Sequence, residues 1–234
     1  MKTALSTGCA SLASGAKRPS CTRCLRPKRT CICQWVRPVA HLVEVLILQH
    51  PLEVAHAKGS ARLLHLSLPK SWLITGEVFD LQACLALLDA QDSEDAKRAP
   101  RIPRHNLLLY PSSEVGQETN SAPASLLLPD SSCSVAPSQL RLIVLDGTWR
   151  KSRKMLYRNP LLQQLPRLSL QALTTSQYLI RKAHRPGLLS TLEATCAALA
   201  QLEGEPDKFE PLLQAFDGFV AQQSGYLAGQ AARL

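Results

Sequence analysis

Residues 141–149 read Arg-Leu-Ile-Val-Leu-Asp-Gly-Thr-Trp. Leu142 to Leu145 is an unbroken apolar run with two β-branched residues, the pattern of a strand covered on both faces, as in a parallel sheet. Asp146-Gly147 ends the run, and a helix is predicted near 149–157, stopped by Asn159-Pro160. Outward from this segment the same alternation recurs. Apolar runs at Leu42–Gln49, Trp72–Thr75 and Leu107–Tyr110 read as strands, with Pro166–Leu170 as one more. Helical patterns fall at Leu81–Leu88, Leu188–Leu202 and Pro211–Gln222, and a mixed segment at 52–68 ends in four leucines. A charged loop at 91–105 and a long surface excursion at 112–138 interrupt them. Strands alternating with helices predict an α/β fold with a largely parallel, buried sheet. In such sheets ligands bind beyond the carboxyl ends of the strands. Those ends read His50-Pro51, Tyr110-Pro111-Ser112-Ser113 and Asp146-Gly147-Thr148-Trp149, so one crevice is expected to gather polar and aromatic groups from all three.

The chain has 234 residues, 45% hydrophobic and 19% charged. That composition excludes general disorder and suffices for one substantial core or two small ones. The longest apolar stretch, Leu42 to Leu48, is broken by Glu44 and is far short of the roughly 18–20 residues of a membrane span. The apolar segment at the start ends at Leu5, and Ser6-Thr7-Gly8-Cys9 lacks the leucine of a lipoprotein site. A cytoplasmic protein without membrane attachment or an obligate protein partner is expected. The net charge of +9 is unevenly spread. Residues 1–40 carry eight bases and no acid, and residues 141–187 carry ten bases with Asp146 as the sole acid, whereas the rest is acidic. Two basic segments on an acidic body predict a surface for a polyanion, through its phosphate backbone. Solvated surface lysine and arginine is the plainer explanation.

Residues 1–20, rich in Ser, Ala, Gly and Lys, read as a flexible basic tail. Next comes Cys21-x2-Cys24-x6-Cys31-x-Cys33, four thiols within thirteen residues. Four thiolates are what a closed tetrahedral zinc site needs. Structural zinc bound by Cys21, Cys24, Cys31 and Cys33 is therefore expected in a module at 21–40, with an iron–sulfur cluster or free thiols as the alternatives. Cys84 and Cys196 lie on apolar helical faces and read as core.

Asp146 admits two readings: a helix N-cap, or a general base or substrate acceptor at a strand exit. Trp149 is a core anchor or part of the crevice. Ser190-Thr191-Leu192-Glu193 has the form of a capping box, and the helix it opens also presents free amides to an anion. Arg150, Lys151, Arg153, Lys154 and Arg158 place five cations beside the Trp, with Arg150, Lys154 and Arg158 one helical turn apart.

These motifs together resemble the DTW-domain family, whose Asp-x-Thr-Trp is present here as Asp146-Gly147-Thr148-Trp149. Matches run in order from residue 21: Cys21-x2-Cys24 with Arg26-Pro27, Cys31-x-Cys33, His50-Pro51-x-Glu53, Leu109-Tyr110-Pro111-Ser112, Tyr178-x2-Arg181 and Ser190-Thr191-Leu192-Glu193-Ala194. The resemblance implies a tRNA-uridine aminocarboxypropyltransferase. Such an enzyme moves the 3-amino-3-carboxypropyl group of S-adenosylmethionine to N3 of a uridine in tRNA, releasing methylthioadenosine. It also implies a SPOUT-like fold over 41–234 with a knotted C-terminal part, preceded by the small zinc-binding module.

On that resemblance Asp146 is the base at uridine N3 or the group orienting the uracil, and Trp149 stacks on a base or faces the sulfonium. Leu109, Tyr110, Pro111, Ser112, Leu145, Gly147 and Thr148 would hold adenine and ribose. Ser190, Thr191 and Glu193 would receive the methionine end. Arg150, Lys151, Arg153, Lys154, Arg158 and Arg181, with the zinc flap, would bind RNA phosphate. Two rival readings use the same residues: an S-adenosylmethionine-dependent RNA methyltransferase, and a zinc-containing RNA-binding module without catalysis.

Overall fold

The 140–146 segment is buried at every position, as a strand with neighbours on both sides and layers on both faces must be. The computed structural model describes residues 19–91, 104–111, 135–170 and 189–231. Strands β1 (Glu44–Gln49), β2 (Ser71–Thr75), β3 (His105–Leu109), β4 (Leu140–Asp146) and β5 (Arg167–Leu168) form one sheet in the order β2-β1-β4-β3-β5. All its ladders are parallel. β5 is shorter than the predicted Pro166–Leu170 run, and its two residues pair with Leu108 and Leu109 of β3.

Helices cover both faces: α1 (Ala61–Ser67), α2 (Leu81–Gln91), α3 (Trp149–Arg158), α4 (Pro160–Gln164), α5 (Thr191–Glu203) and α6 (Glu210–Ala231). Strand alternation sorts them. Val45, Ile47, Leu142 and Val144 pack with α1, α5 and α6 in one core. Leu46, Leu48, Ile143 and Leu145 pack with α2, Met155 of α3 and Leu162 of α4 in the other. Asp146 alternates with Val144 and so belongs to the α5 face.

The cysteine segment is docked on the first core through Cys24, Ile32, Val36 and Val39. Trp35 lies against α6, where a methyl group on Gly218 would come within 2.1 Å of the indole. Its Nε1 donates to Gln222. The Arg26 guanidinium donates to the carbonyls of Ala57 (2.7 Å) and Gly59 (2.9 Å) and sits 5.1 Å from the Phe219 ring centre, tying this segment to the loop after β1. The knotted path expected of the C-terminal part depends on residues 171–188, outside the described residues. The tail through residue 18 and most of the 91–105 and 112–138 loops also lie outside them. No helix among the described residues is long and apolar enough to cross a membrane.

Candidate functional site

From β2 the chain passes over β1 and β4 to reach β3, then returns to form β4 between them. The sheet thus changes winding direction at β1 and β4, and a crevice opens beyond their carboxyl ends. Gln49 and Asp146 are register partners there, and Gln49 Nε2 donates to Asp146 Oδ2 at 2.9 Å. The ladder continues one step further, with the His50 N–H donating to the Asp146 carbonyl at 2.9 Å. Asp146 is 5% exposed. Burial pushes its carboxyl above the ordinary value, and the nearby Glu53 charge pushes the same way, while hydrogen bonds from Gln49 and Thr191 oppose both. The helix cap is Thr148, without a side-chain cap bond, so Asp146 is not used as the N-cap.

Beside Asp146 lies a cavity of about 350 Å³. The sequence-predicted residues Leu109, Tyr110, Pro111, Leu145, Gly147, Trp149, Ser190 and Thr191 all line it. Leu168, Leu170 and Leu189 add apolar wall, and Ser152, Ser169 and Ala194 complete that side. Trp149 is 56% exposed and its ring stacks on Tyr110 at 5.2 Å between centres and 18° between planes. Arg167 covers Tyr110 as well, 5.5 Å from the ring centre. The core-anchor reading of Trp149 is therefore excluded by its exposure.

Asp146, Thr148 and Glu193 stand outside the cavity wall; Asp146 lies between the lining residues Leu145 and Gly147 and is hydrogen-bonded to the lining residue Thr191. Glu193 is buried and completes the capping box, accepting the Ser190 N–H at 2.7 Å, while the Glu193 N–H donates to Ser190 Oγ at 3.2 Å. Ser112 and Arg181 lie outside the described residues.

Carboxylates from the loops after β1 and β2 subdivide the predicted cation stripe. Lys151 pairs with Glu53 at 2.7 Å. Lys154 and Arg158 both pair with Glu77, which also accepts from His50 Nε2 at 2.9 Å. His50 Nδ1 accepts the Leu52 N–H, which fixes the proton on Nε2. Lys154 first, then His50, hold the Glu77 carboxyl down at about 2. Buried Asn159 fastens this loop to the end of α3, donating to the Glu77 carbonyl and accepting from the Phe79 N–H. Arg141 is 0% exposed and paired with Glu44 and Asp89, so it does not belong to any RNA-facing surface. A basic residue at the start of an apolar run is the only sequence signal that could have marked it as internal.

The four clustered cysteines have sulfurs all within 4.8 Å of one another. Cys21 to Cys33 and Cys24 to Cys31 are each 3.7 Å apart. A tetrahedron with metal–sulfur bonds of about 2.3 Å has sulfurs about 3.8 Å apart, so the cluster fits zinc. Amide N–H groups of Cys24 and Arg23 pull the Cys21 thiol down to about 6, whereas burial and the neighbouring sulfurs push Cys33 up to about 12. Sulfurs this close share negative charge poorly without a cation between them. Leu25, at φ 61, occupies the left-handed turn that closes the first pair.

A family model described as DTW domain matches residues 18–224. The protein called tRNA-uridine aminocarboxypropyltransferase 2 of Mus musculus is 31% identical over 212 residues, covering 88% of this chain and 64% of its own length. Its namesake in Drosophila melanogaster is 30% identical over 202 residues, covering 85% of this chain and 72% of its own. The tRNA-uridine aminocarboxypropyltransferase A of Arabidopsis thaliana is 28% identical over 230 residues, covering 90% and 83%. The chain thus spans 64% of the length of the mouse relative, somewhat less than two thirds. No solved structure matches this chain.

Proposed function

We propose, from the premise that this chain belongs to the DTW-domain family, that it modifies tRNA by transferring the 3-amino-3-carboxypropyl group of S-adenosylmethionine to N3 of a uridine. The observation that carries this reading is the Asp146 carboxyl, buried and raised in proton affinity at a strand exit beside the Tyr110–Trp149 cavity. A volume of about 350 Å³ with apolar walls and a few polar groups is in the range of small-molecule sites. The bound donor supplies a sulfonium leaving group: the N3–carbon bond forms as the carbon–sulfur bond breaks, and methylthioadenosine departs.

The protein's part is positioning and proton handling. Asp146 takes the N3 proton, and its raised proton affinity suits it to that task better than an exposed aspartate would be. Gln49 and Thr191 hold the carboxylate in place. Tyr110, backed by Arg167, supports the Trp149 ring, whose outer face meets a base or the sulfonium. Leu109, Tyr110, Pro111, Leu145 and Gly147 line the adenosine end, and Ser190 and Thr191 at the start of α5 receive the carboxylate of the donor. Glu193 acts through the cap that sets the position of Ser190.

The same proposal includes structural zinc on Cys21, Cys24, Cys31 and Cys33, in a module that braces the loop after β1 through Arg26. It includes a SPOUT-like knotted path of the C-terminal part, tRNA as the macromolecular partner and the cytoplasm as the compartment. The test is mass spectrometry of nucleosides from native and unmodified tRNA incubated with protein and S-adenosylmethionine. Uridine carrying an aminocarboxypropyl group, with methylthioadenosine released, is the expected result. Methylated nucleoside with adenosylhomocysteine would replace the reaction by methyl transfer, and an unchanged profile across a full tRNA set would reject the transferase reading.

A further inference from the structure

The exposed side chains of α3 divide into two flanks. Each residue turns the helix by about 100°, which places Lys151, Lys154 and Arg158 on one side and Trp149, Arg150, Arg153 and Tyr157 on the other. The first flank is neutralised, Lys151 by Glu53 and the other two by Glu77. The second is not: Arg150 and Arg153 are exposed and make no ion pair among the described residues. Two rings stand with them. Trp149, stacked on Tyr110, keeps its outer face open at the cavity mouth. Tyr157 is 82% exposed, the most exposed large side chain with apolar surface among the described residues. Positions 149 and 157 are about 12 Å apart along the helix axis, with Arg153 midway between them.

Unpaired cations between exposed aromatic faces match unpaired nucleotides, whose bases are free to stack and whose phosphates need a counter-charge. A paired duplex offers no base face to such rings. We infer that the Trp149–Arg153–Tyr157 edge of α3 is a stacking platform for the unpaired nucleotides beside the target, with Tyr157 as an RNA-binding residue. This rests on the RNA-modifying reading of the neighbouring cavity. The paired flank, by contrast, holds the Glu77 loop to the helix.

The experiment compares full-length wild type with Tyr157→Ala, Tyr157→Trp and Arg153→Gln. Binding is measured to a labelled oligouridylate of about 12 nucleotides and to a perfectly paired RNA duplex of similar length, across a salt series. Tyr157→Ala is expected to weaken oligouridylate binding about tenfold with an unchanged salt slope and little change on the duplex. Tyr157→Trp should keep wild-type affinity. Arg153→Gln should make the salt dependence shallower by about 0.7 in log–log slope. Because Tyr157 is exposed, unchanged urea midpoints will show that the variants are folded. Wild-type oligouridylate affinity in Tyr157→Ala, or an equal loss on both RNAs, would overturn the inference. So would a wild-type protein that does not bind the single strand. Tyr157-dependent binding in a protein that transfers nothing would sink the transferase reading and leave this platform standing.

Discussion

The ladder between β1 and β4 is closed at its two ends by different pairs, Glu44 with Arg141 and Gln49 with Asp146. At the amino end a buried carboxylate faces a buried guanidinium: Arg141 Nε donates to Glu44 Oε2 at 2.8 Å, and Asp89 and Arg104 join the cluster. At the carboxyl end a buried carboxylate faces a neutral amide at 2.9 Å. Both pairs are buried, but only the first neutralises its charge. A carboxylate held against Arg has its charge compensated, whereas burial without a cation raises the proton affinity of Asp146 against the opposing hydrogen bonds of Gln49 and Thr191. On the proposed function, the same two strands carry a structural end and a chemical end.

Arg141→Met breaks the comparison hardest. It leaves the buried Glu44 carboxylate with Arg104 as its remaining cation and should cost about 3 kcal/mol in urea unfolding, with Glu44→Leu in the same chain recovering much of it. A loss below about 1 kcal/mol would mean the amino end is not held by its ion pairs. Asp146→Asn removes an incompletely compensated buried charge and should leave stability unchanged or raise it by about 1 kcal/mol. Gln49→Leu takes a hydrogen bond from the charged form of Asp146. Its proton affinity should rise further, moving the acid limb of the transfer rate to higher pH by about one unit.

The smallest effect is in acid titration. Glu77, lowered from 4.5 to about 2, contributes stability that is present above 4.5 and lost as pH falls toward about 2. Asp146, raised above 3.8, has the opposite sign: its contribution is present below 3.8 and lost as pH rises through its folded value. Acid unfolding should accordingly be flatter in Glu77→Gln and steeper in Asp146→Asn than in wild type. Equal slopes in all three would contradict both assignments.

Much of this was legible in the sequence for local reasons. The Leu142–Leu145 run had to be a buried strand, the capping box at Ser190 could be read from two side chains three residues apart, and four close cysteines suggested one metal. Two of the three strand exits, Tyr110-Pro111 and Gly147 with Trp149, were also readable as a common crevice, whereas His50 pairs with Glu77 and does not line it. What was not legible depends on partners distant in sequence. Arg141 looked like one more cation of a basic segment because Glu44 is 97 positions away. The division of α3 into paired and unpaired flanks needed Glu53 and Glu77, which only the fold brings to it. Trp149 admitted core or crevice until Tyr110 was found beneath its ring.

On the proposed function, the incompletely compensated Asp146 carboxylate handles the proton of the reaction. The most direct test of this role is the single-turnover rate of aminocarboxypropyl transfer by Asp146→Asn at saturating tRNA and S-adenosylmethionine, with tRNA affinity measured alongside. The rate should fall by about 10²–10⁴ while tRNA affinity is retained. Full transfer at wild-type rate with normal tRNA binding would contradict it.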